Sequence, residues 1–176
     1  TFQRVAINRM RPLHSKEYVM QLRDYQQESV DAIWTYFISG KTGNPLVALP
    51  TGTGKSVVIA GFLKSVYDKF PGQRIMMLTH VKELIEQNYS KLMAMWSFAP
   101  AGIYSAGLNR KDVHAPITFA GIASVAKKAH LFGHIDLIII DEAHLVSPND
   151  ETMYQKFIGE LKKVNPYIKV IGLTAT

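Results

Sequence analysis

The chain has 176 residues, of which 47% are hydrophobic and 19% charged, a balance that indicates one globular domain instead of a disordered chain. It contains no cysteine, which excludes disulfides, iron–sulfur clusters and thiolate zinc sites, and it has no apolar run long enough to span a membrane. The formal charge of +6 is compatible with a polyanionic partner such as nucleic acid, or with a basic surface that binds nothing.

Residues 1–20 are rich in arginine and lysine and show little periodicity, which predicts a basic N-terminal arm or lead-in segment before a domain at residues 21–176. They contain no apolar signal-peptide region. Together with the lack of cysteine, this leads us to expect a cytoplasmic protein, associated with the nucleoid if it is bacterial. Because the chain opens on threonine, we expect a piece of a longer protein.

Strand and helix patterns alternate along the rest of the chain. The first helix is predicted from Asp24, which can cap it with Gln27, because apolar residues from Val30 to Phe37 follow at helical spacing. Further helices are predicted at residues 55–70 and 81–95 and from Ser147. Strands are predicted at residues 46–49, 74–78, 102–104, 117–120, 135–140 and 168–173. This alternation indicates an α/β fold, a three-layer sandwich with a mostly parallel central sheet.

The stretch "LPTGTGKS", which begins at Leu49, follows a predicted strand and opens a predicted helix, where parallel α/β folds bind ligands. Gly52 and Gly54 would let backbone N–H groups surround a phosphate at the positive end of the helix dipole. Lys55 adds a flexible charge for terminal phosphates, and Ser56 offers a hydroxyl to Mg²⁺. A nucleoside triphosphate site is predicted. Leu49 stands where the general pattern has its first glycine, so a glycine-rich turn with a solvated lysine is the alternative.

The stretch "IIIDEAH" places Asp141 and Glu142 just past a predicted buried strand. Two adjacent carboxylates are costly there unless they interact with cations. Asp141 can hold Mg²⁺, and Glu142 can orient and deprotonate a water for attack on the γ-phosphate. The alternative is an acidic pair that only complements a helix dipole.

With these pieces the chain resembles a superfamily 2 helicase of the DEAD/DEAH-box type, from about Leu22 to Thr176. The stretches that carry the resemblance stand in the family's order: "LRDYQ" (22–26), "PTGTGKS" (50–56), "LTHVKELIEQ" (78–87), "DEAH" (141–144) and "LTAT" (173–176). More narrowly, "HVKELIEQN", "SAGLNRK" and "KVNPYIKVIGLTAT" are similar to RadD-type helicases of the type III restriction enzyme motor (ResIII-like) branch.

The resemblance implies a RecA-like P-loop NTPase domain that uses ATP and Mg²⁺ to move along nucleic acid, with DNA favoured and RNA possible. It implies that Gln26 reads the adenine edge and Arg23 stacks on the base, although both could be polar residues in an exposed first helical turn. His144 would sit behind the γ-phosphate. The phosphates would be cradled by Thr51, Gly52, Thr53, Gly54, Lys55 and Ser56.

The resemblance further implies that His144 connects the nucleotide state to Thr174 and Thr176. It also places a nucleic-acid strand on the opposite lip of the domain, where its backbone would be contacted by His80, Lys82, Ser105, Gly107 and Thr118. For Thr118 the alternative is an ordinary strand threonine.

The chain stops directly after "LTAT", so the family's second RecA-like domain, with its arginine finger, is expected in the parent protein and not here. An isolated first domain is expected to turn over ATP very slowly. Two other functions remain open from the sequence: a small P-loop kinase-type nucleotide enzyme, and a nucleic-acid-binding switch with little hydrolysis.

Overall fold

The structure, a computed structural model, describes residues 20–49, 52 and 54–175 of the chain. Almost all of the predicted basic arm lies outside the described residues. Thr51, Thr53 and Thr176 also lie outside them, so the roles predicted for these three residues stay predictions. Among the helices of the described part, none combines the length and apolar character that crossing a membrane requires.

A seven-stranded sheet lies at the centre of the described residues. Its strands are β1 (Leu46–Ala48), β2 (Ile75–Thr79), β3 (Ala101–Ser105), β4 (Arg110–Lys111), β5 (Ile117–Gly121), β6 (Leu137–Ile140) and β7 (Lys169–Thr174). Their spatial order is β1-β7-β6-β2-β5-β3-β4, and every pair is parallel except β3 with β4. The prediction of a mostly parallel α/β sheet is confirmed.

Helices cover both faces of this sheet. They are α1 (Asp24–Ile38), α2 (Lys55–Lys69), α3 (Lys82–Met95), α4 (Ile122–Val125) and α5 (Pro148–Val164). Apolar residues of α1, α2 and α3 pack with Ile139 of β6 on one face, whereas α4 and α5 pack with Ile138 on the other. Since successive strand residues point to opposite faces, a continuous aliphatic strand such as β6 supplies both cores. The predicted three-layer sandwich is confirmed.

The starts of two helices test the capping predictions. α5 begins as predicted, because the Ser147 hydroxyl accepts a hydrogen bond from the backbone three residues later. For α1 the prediction is wrong by one residue: Arg23 and Gln26 occupy the cap and third positions expected for Asp24 and Gln27. The Gln26 amide oxygen accepts the Arg23 N–H at 3.0 Å, which closes the first turn.

Several short features depart from the predicted elements, among them β4, α4, the start of β6 and 3₁₀ turns at residues 106–108, 129–131 and 143–145. β4 and α4 were not predicted, because a two-residue exposed strand and a single helical turn leave no periodic signal. β6 begins at Leu137, two residues later than predicted. Just before it, the Asp136 carboxylate accepts the Arg74 N–H at 2.8 Å, which holds the approach to the strand against the start of β2.

Candidate nucleotide site and nucleic-acid groove

The sheet brings the ends of β1 and β6 to the same edge. Ala48 pairs with Thr174 and Ile140 pairs with Gly172, so both strands end beside the intervening β7. α2 begins shortly after β1, and Asp141 follows β6 directly. The phosphate-loop residues and the acidic pair therefore lie where open α/β sheets bind ligands.

Two glycines shape the loop that precedes α2. Gly52 has a φ of 85° and Gly54 a φ of 77°, both in the left-handed region that favours glycine. Gly54 is also the N-cap residue of α2, and a β-carbon built on it would lie 2.6 Å from Nε2 of Gln26. A larger residue at position 54 would thus be strained and would displace Gln26.

Gln26 is turned toward this loop. Gln26 is only 5% exposed, because its side-chain amide closes the first turn of α1 and lies against Gly54. Arg23, by contrast, is exposed. The structure therefore brings Gln26 to the phosphate loop and leaves the Arg23 guanidinium at the surface. The adenine contacts of both residues stay predictions.

Lys55 joins the loop to the acidic pair. Its ammonium lies 2.8 Å from Asp141 Oδ1 and 2.5 Å from Glu142 Oε1. Burial by itself would lower the pKa of Lys55, but the hydrogen bonds and charges of the two carboxylates outweigh it and raise that pKa. The lysine is consequently charged at neutral pH.

Asp141 is the most deeply buried acid of the site, with 1% of its side chain exposed. Its Oδ1 also accepts the Glu142 N–H at 2.9 Å, and its Oδ2 accepts Nδ2 of Asn88 at 2.8 Å. Asn88 is the last residue of the stretch "HVKELIEQN", but no role is predicted for it from the sequence. A signal for it exists, because it is a polar residue in the helical stripe between the buried Ile85 and Leu92 of α3.

The backbone turns sharply at the acidic pair. Glu142 has a φ of 51°, a left-handed conformation that is uncommon for a residue with a side chain and that is often found at functional sites. His144 lies between Glu142 and the end of β7. His144 Nδ1 lies 3.5 Å from Glu142 Oε2 and 2.8 Å from Thr174 Oγ1, at the end of β7.

Four of the five predicted nucleic-acid residues line one groove beyond the ends of β2 and β3. This groove, of about 190 Å³, is lined by His80, Lys82, Ser105 and Gly107, together with Thr79, Ile85, Gly121, Ile122, Ala123 and Ser124. Lys82 crosses Gly107, where a β-carbon would lie 2.6 Å from the lysine Cε. Within the described residues, His80 Nδ1 is buried and has no hydrogen-bond partner.

Thr118 does not belong to this groove, and the structure contradicts its predicted contact with nucleic acid. It is 1% exposed and its hydroxyl donates to the Ala115 carbonyl at 3.2 Å. It sits near the start of β5, between Met76 and Gly102 of the adjacent strands. The carboxyl ends of the strands, which form the groove, lie at the other end of β5.

Comparison with known proteins agrees with this geometry. The family described as "Type III restriction enzyme, res subunit" matches residues 19–176. The chain belongs to this res subunit family. A curated relative, the putative ATP-dependent helicase IRC3 of Saccharomyces cerevisiae, is 28% identical over 168 residues. That alignment covers 88% of this chain and 23% of the relative.

Solved structures share the fold of this domain. The UvsW helicase from bacteriophage T4 superposes with a TM-score of 0.64 at 20% identity, over 88% of this chain and 52% of that one. The Sulfolobus solfataricus SWI2/SNF2 ATPase core, solved in complex with dsDNA, gives a TM-score of 0.63 at 17% identity, over 93% and 34% of the chains. At these identities the likeness shows the fold alone.

The res subunit domain offers oxygen ligands suited to Mg²⁺. The donors are the Asp141 carboxylate and the hydroxyl of Ser56, which is half-buried in the first turn of α2. Within the described residues, no group of three or more acidic, histidine or cysteine side chains is gathered for a metal. A Mg²⁺ ion bound through one carboxylate, one hydroxyl and the phosphates of a nucleotide fits this sparse donor set, because Mg²⁺ usually keeps substrate phosphates and waters as ligands.

Proposed function

We propose that this domain binds ATP with Mg²⁺ between the residue 52–56 loop and the Asp141–Glu142 pair. It would serve as the ATP-binding half of a motor that moves along nucleic acid. The observation that carries the proposal is the position of Lys55, whose ammonium contacts both carboxylates at the end of β6. A lysine after a glycine turn and an acidic pair at the end of another strand of the same sheet together form a site for a triphosphate.

Lys55 gives the site a simple electrostatic switch. Its ammonium contacts both acids and offsets part of their negative charge, and the phosphates of a nucleotide would compete for that ammonium. When Lys55 contacts a phosphate, the Glu142 carboxylate loses its cation and can accept a proton from the attacking water. Mg²⁺ held by Asp141 and Ser56 would neutralise phosphate charge. The path from Glu142 through His144 to Thr174 would carry the change to the end of β7.

The groove beside β2 and β3 is the proposed contact with nucleic acid. Lys82 supplies a positive charge, and the backbone and side chains of His80 and Ser105 line the groove beside it with polar groups. Such groups contact a phosphate backbone without reading sequence. DNA is the favoured partner, since the structurally similar SWI2/SNF2 core was solved with dsDNA.

The chain spans about a quarter of the IRC3 sequence that it matches. We propose that a second RecA-like domain in the parent protein completes the ATPase site and supplies an arginine finger. Because such a residue contributes roughly 10³–10⁵ in rate in related phosphoryl-transfer enzymes, the domain alone would bind ATP and hydrolyse it very slowly.

The nucleotide proposal is tested with a fluorescent N-methylanthraniloyl ATP. Lys55→Ala is expected to weaken its binding at least about tenfold, since a hydrogen bond from a charged group contributes roughly 1.5–3 kcal/mol. Lys64→Ala is the matched control, because Lys64 lies on the same helix in an exposed ion pair with Asp68. Equal affinities of Lys55→Ala and Lys64→Ala for the nucleotide would show that Lys55 does not bind it.

The nucleic-acid proposal is tested with a labelled single-stranded DNA by fluorescence anisotropy over a series of salt concentrations. Lys82→Ala is expected to weaken binding and to reduce the salt slope by about 1, the signature of one lost phosphate contact. Lys91→Ala, an exposed lysine on the same helix, is the control. A larger loss of affinity in Lys91→Ala than in Lys82→Ala would show that the DNA does not bind in this groove. Tighter binding of RNA of the same sequence would show that RNA is the partner.

A further inference from the structure

The two oxygens of the Asp141 carboxylate have different partners. Oδ1 accepts the Lys55 ammonium at 2.8 Å and the Glu142 N–H at 2.9 Å, whereas Oδ2 accepts the Asn88 amide at 2.8 Å. Lys55 and Glu142 both belong to the edge of the sheet that the proposed nucleotide site occupies. Asn88 instead comes from α3, which packs on β2 and β5. The carboxylate is thus held from a different element on the side away from the lysine.

Asp141 needs this support because it is almost completely buried. Only 1% of its side chain is exposed, and a buried carboxylate is costly unless hydrogen bonds satisfy its oxygens. Lys55 is a flexible partner with 19% of its side chain exposed, and the proposed phosphates compete for it. If Lys55 moves to a phosphate, the Glu142 N–H and the Asn88 amide are the donors that continue to hold Asp141 among the described contacts.

An asparagine suits this position for three physical reasons. Its amide is neutral, so it orients the carboxylate without repelling a cation at the opposite oxygen. Its side chain is short, and few rotatable bonds separate the donor from the helix. The flanking residues Ile85 and Leu92 are buried on the same face of α3, at 3% and 2% exposure, so the backbone that carries the amide is fixed by packing.

We propose that Asn88 is a positioning residue that holds Asp141 Oδ2, so that Oδ1 faces the phosphate loop and a nucleotide-bound Mg²⁺. This inference rests on the proposed nucleotide site, because it assigns a role within it. Groups that orient a metal ligand through a hydrogen bond change metal affinity by about 10–100-fold when they are removed. Asn88 is therefore expected to act on Mg²⁺-dependent binding and not on binding of the nucleotide itself.

The test uses the whole chain and a titration of N-methylanthraniloyl ATP with MgCl₂, compared with the same titration in EDTA. Asn88→Leu keeps the bulk of the side chain and removes the donor, and Asn88→Ala removes both. Each is expected to raise the Mg²⁺ concentration at the midpoint by about 10–100-fold while affinity in EDTA changes less than about twofold. Ser90→Ala, an exposed residue on α3, is the control and should leave both values unchanged.

Asp141→Asn separates this inference from the proposed function. If the nucleotide site is right, Asp141→Asn shifts the Mg²⁺ midpoint, and adding Asn88→Leu to it causes no further shift. If Asp141→Asn shifts the midpoint but both Asn88 variants match the wild type, the role of Asn88 is overturned and the nucleotide site stands. If Asp141→Asn shifts nothing, both claims are overturned.

A purely structural role for Asn88 would give another pattern. The variants would then melt at a lower temperature by circular dichroism and would lose affinity equally in Mg²⁺ and in EDTA. That result would overturn the inference. A shift confined to Mg²⁺ in Asn88→Leu, with a melting temperature close to that of Ser90→Ala, would support it.

Discussion

Replacing Gly54 by alanine tests how closely α1 and the phosphate loop are built together. Gly54 has a φ of 77°, and a β-carbon there would lie 2.6 Å from Nε2 of Gln26. The left-handed conformation costs an alanine about 1–2 kcal/mol. Displacing Gln26 also weakens its hydrogen bond to the Arg23 N–H, which contributes about 1 kcal/mol. Gly54→Ala is therefore expected to lose about 2–3 kcal/mol of unfolding free energy.

Gly52→Ala is the matched control for this variant. Gly52 has a φ of 85°, but a β-carbon on it would meet no atom of the other described residues within 4 Å. It should therefore lose only the backbone cost of about 1–2 kcal/mol. Urea unfolding followed by circular dichroism resolves the difference, provided that the dependence on urea is the same for both variants. Equal losses would refute the contact between Gln26 and the loop.

Three further predictions concern turnover, the groove and pH. Glu142→Gln should preserve ATP binding and abolish hydrolysis in a protein that carries both motor domains; unchanged turnover, measured by phosphate release, would exclude Glu142 as the base. Gly107→Ala should displace the Lys82 side chain and weaken DNA binding in the anisotropy assay with little loss of stability, and a normal DNA affinity would contradict the groove. The hydrogen bond from the Ile103 N–H, and then Arg110, lower the pKa of Asp112 in the folded state. The ionised Asp112 carboxylate therefore stabilises the fold above about pH 3.9, the pKa of a free aspartate, and this stabilisation is lost as the pH falls through the lowered folded-state pKa. Asp112→Asn should accordingly be less stable than the wild type at pH 7 and equal to it in strong acid, whereas a difference that persists in strong acid would contradict the assignment.

The sheet could be predicted because its strands are buried on both faces. A continuous run such as the aliphatic residues of β6 is typical of a parallel strand between helices, and the alternation with amphipathic helices fixes the layers. β4 escaped prediction because Arg110 and Lys111 are exposed and pair with only one strand. The N-cap of α1 could not be predicted because two pairs of polar residues have the spacing of a capping box: Arg23 with Gln26, and Asp24 with Gln27. Only packing shows that Gln26 is the buried glutamine.

The residues of the candidate site could be predicted where a reactive side chain directly follows a strand. They could not be predicted where their position depends on packing between elements. Lys55 and Asp141 each follow a strand, so a parallel sheet brings them to one edge. Thr118 was misassigned because strand residues of the same type differ in function according to which end of the strand they occupy. Asn88 acts from the middle of a helix, and its partner lies 53 residues away in sequence, so no local pattern joins them.

A crystal structure of the domain with a non-hydrolysable ATP analogue and Mn²⁺ in place of Mg²⁺ tests the central claim most directly. We expect anomalous scattering to place the ion beside the Asp141 carboxylate and the Ser56 hydroxyl. We also expect Lys55 Nζ to leave Glu142 and contact the terminal phosphates. A triphosphate bound away from the residue 52–56 loop, with the contacts from Lys55 to Asp141 and Glu142 unchanged, would contradict the proposed nucleotide site.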